Sequence, residues 1–95
     1  MLKPNFNREY ALPLSTDLAF LTAVIEWLQD LGCHVEVGEM SGRAAGPTER
    51  VVGLLGVEKA LKRYGVPFIN FEKDDWLELE IEGEYWDTIR VPRSI

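Results

Sequence analysis

The sequence contains few of the residue types on which many active sites depend. It has one cysteine, Cys33, and one histidine, His34, in 95 residues. A single cysteine excludes a disulfide within the chain, and a free thiol is typical of a reducing compartment, so we expect a cytoplasmic protein. Neighbouring residues of a strand point to opposite faces, so Cys33 and His34 cannot act together as nucleophile and base. We expect no enzymatic activity, no metal site and no cofactor, with Cys33 buried as a small apolar residue and His34 either at the surface or in a cross-strand pair.

Long apolar runs and an excess of positive charge are also absent. No apolar stretch is long enough for a transmembrane helix, and the first five residues do not resemble a signal peptide. Sixteen acidic residues against ten basic ones give a net charge of −6. Such a charge argues against direct binding of nucleic acid through phosphate neutralisation. We therefore expect neither a membrane nor a nucleic acid as the direct partner.

The remaining pattern predicts one small acidic α+β domain over residues 1–95. The hydrophobic fraction of 46% and the charged fraction of 27% are those of globular proteins. The element order β-α-β-α-β-β-β predicts two layers, with one mixed or antiparallel sheet of about four to five strands and two helices on one face. The predicted elements are a weak edge strand at 8–14, a helix from a cap at Ser15, Thr16 or Asp17 to about Leu31, a strand at 33–37, a loop at 38–46, a helix from Pro47 to Gly65, a strand at 66–71, and a hairpin of 76–82 and 85–91.

The first predicted helix has an apolar arc wider than one sheet face requires. It is therefore either enclosed within the domain or partly buried against another chain. The second alternative predicts a structural subunit that forms a homo-oligomer. Residues 42–71 carry five bases and two acids, whereas residues 72–89 carry one base and eight acids. In such an oligomer the basic second helix, which Gly53 and Gly56 open to close approach, would meet the acidic hairpin of a neighbour.

The most informative pattern is the alternation of glutamate with apolar residues between Trp76 and Glu84. A period of two is typical of a half-buried strand, so the glutamates should share one face, although like charges side by side repel. Carboxylates spaced by about 6.6 Å would suit a basic groove, including the nucleic-acid-binding surface of another protein, and aromatic neighbours are typical of binding hot spots. A solvated face is the alternative interpretation. The predicted contact residues are Glu78, Glu80, Glu82, Glu84, Asp74, Asp75, Trp76, Tyr85 and Trp86.

Two registers are open to this hairpin. A two-residue turn at Gly83-Glu84 would place Asp87 opposite Glu80. A three-residue loop would instead pair Glu78 with Arg90 and Leu79 with Ile89, which matches opposite charges and apolar residues. We expect a bulge near Tyr85-Trp86 that satisfies both preferences.

The loop at 42–50 is a weaker candidate for an anion site. Small residues and arginines before a helix N-terminus are what a phosphate site uses, and the residues concerned are Arg43, Gly46, Thr48 and Arg50. The loop is not a Walker A motif, and Glu49 would repel a phosphate, so an ordinary surface loop is the alternative.

These observations favour a non-enzymatic protein-binding module or inhibitor that presents the acidic hairpin to a basic partner. In size and charge the chain is comparable with small accessory proteins of phages and mobile elements, although it contains no motif diagnostic of a family. The alternatives are the homo-oligomeric subunit and a small anion- or nucleotide-binding domain that uses loop 42–50.

Overall fold

The computed structural model describes residues 1–11 and 13–95, and in these residues it contains three α-helices and two small sheets. The α+β class is confirmed, but the prediction of one sheet of about four to five strands is wrong, because each sheet has two strands. The elements are α1 (Leu18–Asp30), β1 (Val37–Glu39), α2 (Thr48–Leu55), α3 (Val57–Lys62), β2 (Phe68–Asn70), β3 (Trp76–Glu80) and β4 (Thr88–Pro92), with short 3₁₀ turns at Arg43–Ala45 and Phe71–Lys73.

The first sheet is parallel. Val37 of β1 lies opposite Phe68 of β2, and Leu2 forms a single parallel bridge on the other side of Val37. The Leu2 N–H donates to the Glu36 carbonyl at 2.7 Å, and the Gly38 N–H donates to the Leu2 carbonyl at 2.9 Å. The chain therefore runs from Leu2 through α1 to β1, and through α2 and α3 to β2, as in a βαβ unit.

The predicted strand at 8–14 is wrong. Its described residues form bends and a turn, and Leu12 lies outside the described residues. Pro13 cannot donate to a ladder, and the strand contact of the N-terminal segment falls at Leu2 instead. The strand predicted at 33–37 begins only at Val37. As a consequence Cys33 is exposed, contrary to expectation, whereas His34 is at the surface, one of the two positions expected for it.

Helix α1 has the predicted ends. The Asp17 carboxylate accepts the Phe20 N–H at 2.9 Å, which caps the first turn, and Gly32 continues the chain at φ +81°. The helix predicted from Pro47 to Gly65 is divided into α2 and α3, because Gly56 adopts the left-handed conformation at φ +73°. The largest buried apolar side chains of the core come from the N-terminal segment, the helices and the parallel sheet, among them Phe6, Ile25, Val37, Val51, Val57 and Leu61.

The second sheet is an antiparallel ribbon formed by β3 and β4. Glu78 pairs with Arg90 and Leu79 with Ile89, which is the register of the longer loop. The predicted bulge is wrong, since the paired strands end at Glu80–Thr88, and Tyr85-Trp86 lies in the connection beyond them. No ribbon residue belongs to the core cluster of the described residues. The radius of gyration is 14.7 Å, above the roughly 12 Å expected for a compact chain of this length, which agrees with a ribbon lying outside the core.

Candidate functional site

The ribbon has two chemically different faces, which follow from its register and the alternation of side chains. Glu78 and Glu80 lie on one face, opposite Arg90 and Thr88, and we call this the acidic face. The other face, called here the apolar face, is made of aliphatic side chains. Its members are Leu77, Leu79, Ile81, Ile89 and Val91.

The outer part of the apolar face is open to solvent, whereas Leu77 and Val91 nearer the base are half-buried. Leu79 is 42% exposed, Ile81 37% and Ile89 40%. The connection between the strands, residues 81–87, which we call the tip, adds Tyr85 and Trp86 with exposures of 81% and 73%. A two-stranded ribbon alone is at best marginally stable in water, so burial of this face would stabilise it.

The structure brings together only part of the predicted partner-binding set. Glu80, Glu82 and Glu84 are exposed on the outer part of the ribbon and its tip, and Glu78 is also exposed but lies across from Arg90. These carboxylates and the aromatic side chains of the tip belong to one continuous segment, residues 78–87, which lies outside the core cluster. The outer ribbon therefore contains four glutamates and two aromatic residues of the predicted set.

The remaining members of that set serve the base of the ribbon. The Trp76 indole N–H donates to the Phe71 carbonyl at 3.1 Å. The Asp74 carboxylate accepts the Ser94 N–H at 2.9 Å, and this bond is the main reason that the pKa of Asp74 lies below its usual value. Asp75 lies 3.9 Å from Arg93. Trp76 and Asp74 therefore have structural contacts at the base of the ribbon, and their predicted contact with a partner stays a prediction.

A second polar region lies at the carboxyl end of the parallel strands, where open α/β sheets bind their ligands. Glu39, the last residue of β1, is 2% exposed. Its carboxylate accepts the Lys3 ammonium at 2.9 Å and the Met40 N–H at 2.8 Å. Sequence reasoning missed this pair, because it placed no strand at Leu2 and ended the strand of residues 33–37 before Glu39. Recognition of a parallel sheet would have pointed to Glu39 as a residue at its ligand-binding edge.

The adjacent loop is held by internal hydrogen bonds. The Ser41 hydroxyl donates to the Phe6 carbonyl at 2.7 Å, and the Ser41 N–H donates to the Thr48 hydroxyl at 3.1 Å. At the end of β2, Asn70 accepts the Glu72 N–H at 3.0 Å, while its buried Nδ2 has no hydrogen-bond partner among the described residues. The carboxyl edge thus combines a buried carboxylate with a buried amide donor.

The predicted anion site is assembled only in part. The Thr48 N–H, at the N-terminus of α2, donates to the Glu72 carboxylate at 2.8 Å, so an anionic group of the chain already occupies that position. Arg50 donates to the Ala45 carbonyl at 3.1 Å and lies 3.5 Å from Glu9. Thr48 and Arg50 therefore have structural partners, whereas Arg43 and Gly46 line a groove next to them.

The contact between Glu72 and α2 predicts a pH-dependent contribution to stability. Hydrogen bonds from the N–H and then the hydroxyl of Thr48 lower the pKa of Glu72 below 4.5. A carboxyl whose pKa is lowered by folding stabilises the folded state above its ordinary pKa, and this contribution is lost as the pH falls through the folded pKa. We expect wild type to be more stable than E72Q at pH 7 and the two to converge as the pH falls from 4.5 towards 3. Urea midpoints measured across this range test this, and two parallel curves would contradict it.

No helix of the described residues is both long enough and apolar enough to cross a membrane. Within residues 1–11 and 13–95, no group of three or more His, Cys, Asp or Glu side chains is arranged to hold a metal ion.

Comparison with known proteins identifies a family. A protein family described as "Domain of unknown function (DUF362)" matches residues 1–95 of the chain. No curated protein and no solved structure matches the chain.

Proposed function

The chain belongs to the DUF362 family, and we propose that it is a non-enzymatic protein-binding module whose β3–β4 ribbon docks on a basic partner protein. The observation that carries the proposal is the apolar face of the ribbon, which is exposed next to an aromatic tip. The partner would cover Leu79, Ile81 and Ile89, and Tyr85 and Trp86 would anchor at the tip.

The chemistry of the partner follows from the charge of the ribbon. Residues 76–92 contain five carboxylates and one arginine, so a partner surface that surrounds the ribbon must be basic to avoid desolvating unpaired charges. Aromatic side chains at the centre of such a contact supply most of the affinity, and the carboxylates supply association rate and partner selection. An inhibitor of a basic protein, in the cytoplasm, is one form that this function would take.

A second candidate function, a subunit of a homo-oligomer, is favoured by helix α1. Phe20, Trp27 and Leu31 lie on one stripe of the helix and are 66%, 62% and 63% exposed. The space around Gly53 and Gly56 is open to at least 4 Å, which would also allow the backbone of another chain to approach. The ribbon is preferred because its apolar face, its aromatic tip and its charge occur on one segment.

The test compares capture of a partner by the wild type and by E80K/E82K. Glu80 faces Thr88, so its reversal adds no repulsion across the ribbon, whereas a lysine at position 78 would face Arg90. We expect wild type to retain a basic protein from nuclease-treated lysate at low salt and to lose it at high salt. With that protein purified, E80K/E82K should bind at least about tenfold more weakly at low salt, since two favourable charges become repulsive.

The matched control is E26K/D30K, which reverses two exposed carboxylates of α1 and leaves the ribbon unchanged. It should bind the partner as wild type does, and both variants should have the circular dichroism spectrum of the wild type. Equal binding by E80K/E82K and wild type would overturn the proposal. If only the tagged chain itself is recovered, as an oligomer whose size does not change on dilution, the homo-oligomeric subunit would replace the proposed protein-binding module.

A further inference from the structure

A groove of about 630 Å³ separates the base of the ribbon from the loop that joins β1 to α2. Met40 and Ser41, which directly follow β1, line it on one side, and Trp76 and Arg90 line it from the ribbon. Its volume is within the usual range for small-molecule sites, and it lies at the carboxyl end of a parallel strand, where such sites occur in α/β sheets.

Two arginines line this groove from opposite elements, Arg43 from the loop and Arg90 from β4. Among the described residues, neither guanidinium belongs to an ion pair, whereas Arg50 of α2 and Arg93, which follows β4, both do. The carboxylate that lines the groove, Glu72, is engaged by the Thr48 N–H. Two arginines and one carboxylate give the groove lining a formal charge of +1, on a chain whose net charge is −6.

The groove also has apolar walls. Met40, Pro47 and Trp76 are among its lining residues, and the Arg90 guanidinium lies 6.0 Å from the centroid of the Trp76 ring. An arginine beside an aromatic ring forms a surface on which a flat group can stack while an anion pairs with the charge. At Gly46 the backbone has φ +87° and ψ −166°, a conformation nearly restricted to glycine, so this residue keeps the loop wall free of a side chain.

We propose that this groove binds a small phosphorylated molecule that carries a planar ring, of about the size of a mononucleotide. Arg43 and Arg90 bind the phosphate, since a planar guanidinium matches phosphate oxygens with two parallel hydrogen bonds. Trp76, Met40 and Pro47 contact the ring. The site shares Arg43 and Gly46 with the anion site predicted from the sequence. It includes Arg90 and Trp76, which that prediction lacked, and does not include Thr48 and Arg50. It is independent of the proposed contact between the outer ribbon and a protein.

The experiment is a titration of the ¹⁵N-labelled full chain with adenosine 5′-monophosphate, adenosine and inorganic phosphate, each to 10-fold above the wild-type Kd for the monophosphate. We expect the monophosphate to shift the Gly46 amide and the Trp76 indole N–H in wild type. R43Q should bind it at least about tenfold more weakly, the typical effect of losing one charge-assisted hydrogen bond. R43Q lies outside the ribbon, so its effect does not depend on ribbon folding, and R90Q is the second variant.

The matched control is R63Q, because Arg63 forms no ion pair with the residues that the structure describes and lines a different groove, between α1 and α3. It should bind as wild type does. If adenosine gives the same shifts as the monophosphate, the groove does not recognise the phosphate. If inorganic phosphate binds with the same affinity as the monophosphate, the groove does not recognise the ring. Either result would overturn the proposal, as would unchanged affinity in R43Q or an absence of shifts at Gly46 and Trp76.

Discussion

Phe6→Ala is expected to lower the free energy of unfolding by about 3–5 kcal/mol, the usual cost of removing a buried aromatic ring. Phe6 is 0% exposed, and its carbonyl accepts the Ser41 hydroxyl at 2.7 Å. The side chain therefore packs in the core at the point where the N-terminal segment is bonded to the loop after β1. Since domains of this size are stable by roughly 5–15 kcal/mol, the substitution should lower the melting temperature by more than about 12 °C. Thermal and urea unfolding measure both quantities.

Phe20→Ala is the matched control for Phe6→Ala. It removes the same ring from α1, where Phe20 is 66% exposed, so the free energy of unfolding of the monomer should change by less than about 1 kcal/mol. Similar losses in the two variants would contradict the core assigned to this fold. A large loss in Phe20→Ala that grows with protein concentration would instead indicate that an oligomer buries the α1 stripe.

Gly38→Ala has the second largest expected effect, about 1–3 kcal/mol of destabilisation from overpacking. A Cβ at this position of β1 would lie 2.6 Å from Cε1 of the Phe71 ring and closer still to Cζ. Phe71 is 2% exposed, so its ring has no solvent space into which it can turn. The variant must displace either the ring or strand β1, and urea unfolding would show the loss.

A double-mutant cycle isolates the cause of the Gly38 effect. In a Phe71→Leu background the smaller side chain leaves space for the new methyl group, so Gly38→Ala should cost at least about 1 kcal/mol less than in wild type. Equal costs in the two backgrounds would show that the loss arises from the strand itself and not from contact with Phe71.

Local chemistry was enough to predict α1 and the ribbon. Asp17 and Gly32 mark the ends of the helix because an N-cap carboxylate and a left-handed glycine act within a few residues. For the ribbon register, the pairing of Glu78 with Arg90 and Leu79 with Ile89 favoured the observed arrangement, but turn chemistry left a second register open. The predicted bulge is wrong because it assumes that the two strands stay paired up to a tight turn at Gly83-Glu84, whereas the paired residues end at Glu80 and Thr88.

The candidate sites depended on contacts that are distant in sequence. The acidic residues of the outer ribbon were found from their alternation, but the roles of Asp74 and Trp76 come from bonds to Ser94 and Phe71. Arg90 and Arg43 line one groove although 47 residues separate them, and no periodicity relates them. Glu39 has no local signal of burial, because a charged residue is buried here only through its pairing with Lys3.

The sequence alone determined that the chain is an acidic α+β domain with a capped first helix and a two-faced acidic ribbon, since these properties depend on composition and short-range spacing. The tertiary structure decided that the sheets are separate, that Leu2 joins β1 in parallel, and that the groove between loop and ribbon contains two arginines. Parallel pairing joins strands across a whole helical crossover, so its partners are chosen by burial in the common core and not by neighbouring residues.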